Sequence, residues 1–227
     1  MSFIMRPVRF ASSGFIIEGS GLFDGSSGFL SRTPDSAGDR KTFVYHTIVK
    51  VSDFEGADQT LLHAYDGGVG TEYSWLTITG GSGNYSGEPY EIRFEQYDHP
   101  NVEARMQSNA LYRDVAAYLD ITFAFDTTQA TNTNRVKCWV NGTEITWKGS
   151  PTYPARNLDT YFNAALPQRI GVGLGYFEGY MARSAMLDSL TITDPETDGF
   201  GEVTDDGFWQ INDVSELTFG TNGFLIE

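Results

Sequence analysis

The chain has 227 residues, 14% of them aromatic, and carries 30 Asp and Glu against 15 Lys and Arg, a formal net charge of −15. A length of this order fits one large β domain, and so acidic a surface repels phosphate backbones, which argues against a nucleic-acid partner. The single cysteine, Cys138, excludes an intrachain disulfide and a cysteine-rich metal site, and no run approaches the ~18 to 20 apolar residues that span a bilayer.

In residues 1–21, Phe3, Ile4, Met5, Phe10, Phe15, Ile16 and Ile17 surround Arg6 and Arg9. That composition suits an arm that orders against a neighbouring subunit, or an extra edge strand of the main domain. The start lacks a charged region followed by a long apolar run, so synthesis in a cytoplasm without a secretory signal is expected. The sequons at Asn84 and Asn141 are then expected to go unused. Turn-rich DGSSG at 24–28 precedes strand candidates at 42–51, 59–65 and 72–79, with DGGVG at 66–70 and TGGSGNYSGEP at 79–89 between and after them. In PYEIRFEQY, Tyr90, Ile92 and Phe94 alternate with Glu91, Arg93 and Glu95, the pattern of a strand with one wet face. SNALYRDVAAY at 108–118 gives the one helical suggestion, a turn or two at most. In YLDITFAFD, Leu119, Ile121, Phe123 and Phe125 alternate with Asp120, Thr122 and Ala124.

RVKCWVNGTEIT at 135–146 reads as a hairpin, because Asn-Gly supplies the two positive φ angles that a two-residue turn needs. The turn sets Val140 opposite Thr143, Cys138 opposite Ile145 and Val136 opposite Trp147. Val136, Cys138, Val140, Ile145 and Trp147 then share an apolar face, which makes Cys138 a buried, inert thiol. Trp139 falls on the other face, beside Arg135, Lys137 and Glu144. It is either an aromatic platform for a sugar ring or partner, or a core residue covered by a loop or by the arm.

Further strand candidates at 168–174, 176–182 and 185–193 bring the total to ten to twelve, and residues from 195 on are loop-rich. The expected architecture is all-β: an antiparallel two-sheet jelly-roll sandwich over residues 22–194, with a C-terminal segment, 195–227, packed on it.

Catalytic signals are absent. No Glu-x-Asp-x-Glu spacing occurs, and Glu91 and Glu95, with Arg93 between them, read as a solvated strand face rather than a hydrolytic pair. His46, His63 and His99 form no zinc motif, and His46 sits within a strand as a structural histidine. The acidic loops DPETD at 194–198 and EVTDD at 202–206 offer oxygen ligands without an EF-hand spacing. No motif points to a cofactor.

Five ordered blocks carry a resemblance: GFLSRTPDSAGDRK at 28–41; LYRD, FDTTQA and NRVKCWVNGTEIT within 111–147; YPARNLDTYFN at 153–163; FEGYMA at 177–182; and the closing FGEVTDDGFW and FGTNGFLIE. Together they resemble a concanavalin A-like, laminin G-like jelly-roll family found widely in tail and particle proteins of bacteriophages. Where family members often carry tryptophans, this chain has Phe43, Tyr45 and Ile48, and where they have a Trp-Tyr-His run it has Tyr118, Leu119 and Asp120. The resemblance implies a non-enzymatic virion structural protein, tail-fibre, tail-associated or capsid-decorating, assembled with other virion proteins as a homo-oligomer such as a trimer. It also implies, as an alternative, an adhesion module for host-surface glycans, with loops 65–72, 79–89 and 148–165 as the recognition surface and Trp139 or Tyr153 stacking on sugar rings. A glycan hydrolase is the remaining alternative.

Overall fold

The computed structural model describes residues 14–54, 56–67, 72–81 and 89–227. Among them, β1 (Gly21–Asp24) and β2 (Leu30–Arg32) precede the long β3 (Thr42–Val51), then β4 (Gln59–Tyr65), β5 (Tyr73–Ile78), β6 (Ile92–Asp98) and β7 (Asn101–Gln107). They continue with β8 (Leu119–Asp126), β9 (Val136–Val140), β10 (Thr143–Glu144), β11 (Gln168–Ile170) and β12 (Glu178–Asp188). The last three are β13 (Gly201–Val203), β14 (Trp209–Ile211) and β15 (Phe224–Ile226). The only helical turn among the described residues is a 3-10 turn at Asn132–Asn134.

The strands form two antiparallel sheets and a small hairpin. One sheet runs β1-β12-β3-β8-β9-β10, with β15 also on β12; the other runs β2-β11-β4-β5-β6-β7; β13 pairs β14. Strands distant in sequence are neighbours (β12 with β3, β2 with β11), so the chain crosses between the sheets as a jelly roll does. The main core lies between the sheets. Phe43, Ile121, Phe123, Phe125 and Cys138 meet Leu62, Leu76, Phe94 and Met106 there. Phe94 contacts Phe123 at 5.1 Å between ring centroids, and Phe43 stacks on Phe125 at 5.2 Å. Such pairs contribute about 0.5–1.5 kcal/mol beyond their burial.

A second apolar cluster fills the outer face of the seven-stranded sheet. Val44, Ala124, Trp139, Ala185 and Leu187 of the sheet pack against Ile192, just after β12, and against Phe200 and Val214 of the C-terminal segment. With both faces covered, the central strands are buried almost throughout, the alternating Asp120, Thr122 and Ala124 of β8 included. Asp120 is accommodated by bonds. His46 Nε2 lies 2.5 Å from its Oδ1, and Trp209 Nε1 donates to Oδ2 at 2.7 Å.

Three other expectations are corrected. The segment 108–118 forms turns, not a helix. Asp114 accepts from the amides of Ala116 and Ala117, a local side-chain and turn bonding that competes with helical bonds. The two strands expected at 176–182 and 185–193 are one strand, β12. Arg183 and Ser184 interrupt the apolar pattern yet lie buried, Arg183 bonded to Glu227 and to the Asn212 carbonyl, Ser184 to the Tyr45 hydroxyl. Trp147 does not pair with Val136; the chain leaves the hairpin after Ile145 and Trp147 bridges to Ser108 at the end of β7.

Candidate functional site

The outer face of the six-stranded sheet carries residues that periodicity alone assigns to solvent. Registers set them in rows across the strands. Arg169 of β11 lies opposite His63 of β4, His63 opposite Trp75 of β5, Trp75 opposite Glu95 of β6, and Glu95 opposite Arg105 of β7. The next row holds Tyr65, Tyr73 and Tyr97. Because paired residues share a face, these eight side chains stand on one surface. All but the buried Glu95 line a cleft of about 630 Å³, together with Gly173 and Leu174.

Stacking organises the floor. Tyr73 lies between Trp75, at 4.2 Å between centroids, and Tyr97, at 5.4 Å, and the Arg93 guanidinium lies over Trp75 at 5.9 Å. His63 and Tyr65 form a parallel pair on β4 at 6.1 Å. Gly173 approaches so closely that a Cβ there would press on Thr60 and on the His63 ring.

Glu95 is fully buried yet ionised. Its Oε2 accepts from Arg93 Nη2 at 2.5 Å and from Arg105 Nε at 2.6 Å, and its Oε1 from the Tyr73 hydroxyl at 2.9 Å. Burial alone would raise its pKa, but the bonds and charges of Arg105 and Arg93 outweigh burial and hold it below the usual carboxylate range. Glu91 accepts from Lys148 Nζ at 2.6 Å. The expected wet face at Glu91, Arg93 and Glu95 is therefore a buried ionic network. Four residues along one strand separate Glu91 from Glu95 by about 13 Å, beyond the ~5–9.5 Å that glycosidase pairs use. Glu95 is clamped by two guanidiniums and Glu91 is paired with a lysine, so each carboxyl holds a cation in place rather than standing free to transfer a proton.

His63 is neutral over most of the pH range. Burial first, and the nearby Arg169 charge second, lower its pKa to about 4. Its Nδ1 has no hydrogen-bond partner among the described residues.

The two contact residues suggested by sequence lie elsewhere. Trp139 is 2% exposed and packs against Phe200 and Val214, so its ring is not presented to a sugar. Tyr153 follows Thr152, which bridges Arg105 at the edge of β7. Alternation turns Tyr153 away from the cleft, and it packs half-buried on the main core, where burial raises its pKa. Of the loops proposed for recognition, residues 68–71 and 82–88 lie outside the described residues, as do residues 1–13 of the arm and the Asn84 sequon. DPETD is bound up in its own turn: Asp194 accepts from the amides of Glu196 and Thr197, and Asp198 from those of Thr193 and Asp194. Among the described residues, no three His, Cys, Asp or Glu side chains gather as a metal-holding group, and no helix is long and apolar enough to cross a membrane.

Two other concavities are less suited to a polar ligand. A cavity of about 130 Å³ between β2 and β15 is walled mostly by Leu30, Leu62, Ile170, Met186 and Phe224. A larger cleft of about 800 Å³ separates residues 15–20 from the β13–β14 hairpin. Its Asp120 and Asn141 are bonded to each other and to their neighbours, and large apolar side chains, Ile16, Tyr118 and Phe208, stand exposed on its walls.

No family model and no curated protein matches the sequence. Among solved structures the chain is similar to a native heptameric SAP-like pentraxin from Limulus polyphemus, with TM-score 0.48 and 9% identity over 75% of this chain and 76% of that one. It is also similar to the CBM40 of the Ruminococcus gnavus IT-sialidase, with TM-score 0.46 and 14% identity over 74% and 95%. Domains LG4-5 of the mouse laminin alpha1 chain give TM-score 0.45 and 11% identity over 74% and 40%. At these values the reading of the cleft rests on its own side chains.

Proposed function

We propose that this chain is a non-catalytic saccharide-binding module whose site is the cleft on the outer face of the six-stranded sheet. One observation carries the reading: three consecutive strands present a tyrosine row, Tyr65, Tyr73 and Tyr97, next to a polar row running from Arg169 to Arg105. Saccharide sites combine flat aromatic surface for the sugar's C–H faces with a few fixed polar groups for its hydroxyls, and the sheet presents both on rigid elements. A glycan array probed with the wild-type chain and with Tyr97→Ala tests it. Hits that weaken at least about tenfold in the variant, with unfolding unchanged, are expected; hits indifferent to Tyr97, or silence on a broad panel, would count against it.

The setting we infer is display on a bacteriophage particle, as the sequence resemblance implies. The exposed apolar side chains Ile16, 74% exposed, and Phe208, 71% exposed, favour a protein partner at that end of the sandwich. Substituting both by Ser should lower the copy number of this chain on particles and leave glycan binding intact; an unchanged copy number would remove that face from consideration.

A further inference from the structure

We propose that the saccharide taken by this cleft is an acidic one, its carboxylate seated on Arg169. This rests on the saccharide-binding reading and narrows it to a ligand class.

The charged residues lining the cleft are Arg105 and Arg169, both cationic, in a chain with twice as many acidic as basic residues. Arg105 is held by Glu95, which also serves Arg93. Arg169 differs. Its ladder neighbours are Ser31 on β2 and His63 on β4, neither of them an anion, and it makes no ion pair or side-chain hydrogen bond among the described residues. Glu95 is the one carboxylate in the row, against the guanidiniums of Arg93, Arg105 and Arg169. Of the carboxylates near the tyrosine row, Asp66, Glu72 and Asp98 each sit one residue away from Tyr65, Tyr73 or Tyr97 in sequence, so the pleat turns them to the other side of the sheet, and Glu103, two residues before Arg105 on β7, does not line the cleft. Glu72 is reached there by the Tyr161 hydroxyl at 3.2 Å.

A guanidinium without a carboxylate in a half-buried site is matched by a planar, bidentate anion, and a sugar carboxylate is one. His63 beside it adds no charge at neutral pH, so Arg169 is the cation at that end of the row. Arg169 and Arg105 are four strand spacings apart, about 19 Å between backbones, so one end of a ligand meets Arg169 while its neighbouring rings lie along the tyrosines. The overall charge of −15 repels acidic polymers from the rest of the surface, so binding of an acidic glycan cannot be unspecific adsorption.

Calorimetric titration of the full chain separates the outcomes. The probes are an oligogalacturonate with its carboxyl-reduced counterpart and a sialylated trisaccharide with its desialylated disaccharide, which distinguishes uronic from sialic acids. In at least one pair the acidic member is expected to bind about tenfold tighter or more. In Arg169→Gln that ratio should fall to near one while the neutral member keeps its affinity, which also shows that the variant is folded; Arg169→Glu should reverse the preference. Neutral members binding as tightly as acidic ones, or a preference that survives Arg169→Gln, overturns the acidic ligand and leaves the saccharide site standing. No binding by any of the four probes overturns both.

Discussion

Cys138 and Trp139 are adjacent and occupy opposite faces of β9, and both are buried because the seven-stranded sheet is covered on both sides. Cys138 faces the main core, where burial pushes its thiol pKa far up. A thiol reagent should therefore label it only as fast as the protein unfolds; rapid labelling under native conditions would contradict this placement. Trp139→Ala removes a ring that Val44, Leu187, Phe200 and Val214 enclose, and it should cost about 3–5 kcal/mol in denaturant unfolding. A loss below ~1 kcal/mol would mean that the C-terminal segment does not cover it. His63 makes stability depend on pH in a definite direction. Its folded pKa of about 4 lies below the ordinary 6.5, so the unfolded chain takes up the proton first. Its contribution is complete above pH ~6.5 and is lost as the pH falls towards 4, by roughly 3 kcal/mol. His63→Gln should flatten that part of the profile.

The β13–β14 hairpin is fixed by one ring. Trp209 donates to Asp120 and lies so close to Gly142 and Gly201 that a Cβ on either glycine would collide with it. Gly142 also has φ +73, a region costly for L side chains. Gly142→Ala should destabilise by at least ~1–2 kcal/mol, measured by thermal unfolding, and Trp209→Phe, which leaves a buried Asp120 oxygen without its donor, by ~1–3 kcal/mol. Elements with clean alternation were legible in sequence: 42–51 and 59–65 match β3 and β4 end to end, and Asn141-Gly142 set the β9–β10 register at Val140 and Thr143. The β7 strand carries a weak signal although Val102, Ala104 and Met106 alternate, because its apolar residues are small or flexible and its other face is charged. β12 was split because buried Arg183 and Ser184 imitate a turn.

The binding face was illegible for a different reason. His63, Trp75, Glu95, Arg105 and Arg169 come from five strands spread over more than a hundred residues, and only register brings them into one row. Within a single hairpin the one aromatic among polar neighbours is Trp139, and the surface it borders is covered by the C-terminal segment. The informative signal was aromatic and charged residues on the non-core side of three successive strands, Tyr65, Tyr73 and Tyr97 among them. The most direct test of a saccharide site on this face is amide hydrogen exchange with and without the tightest-binding array saccharide. Protection confined to β4–β7 and β11, with the β13–β14 hairpin and residues 14–20 unchanged, is expected. Protection centred on that hairpin instead, with β4–β7 unaffected, would contradict it.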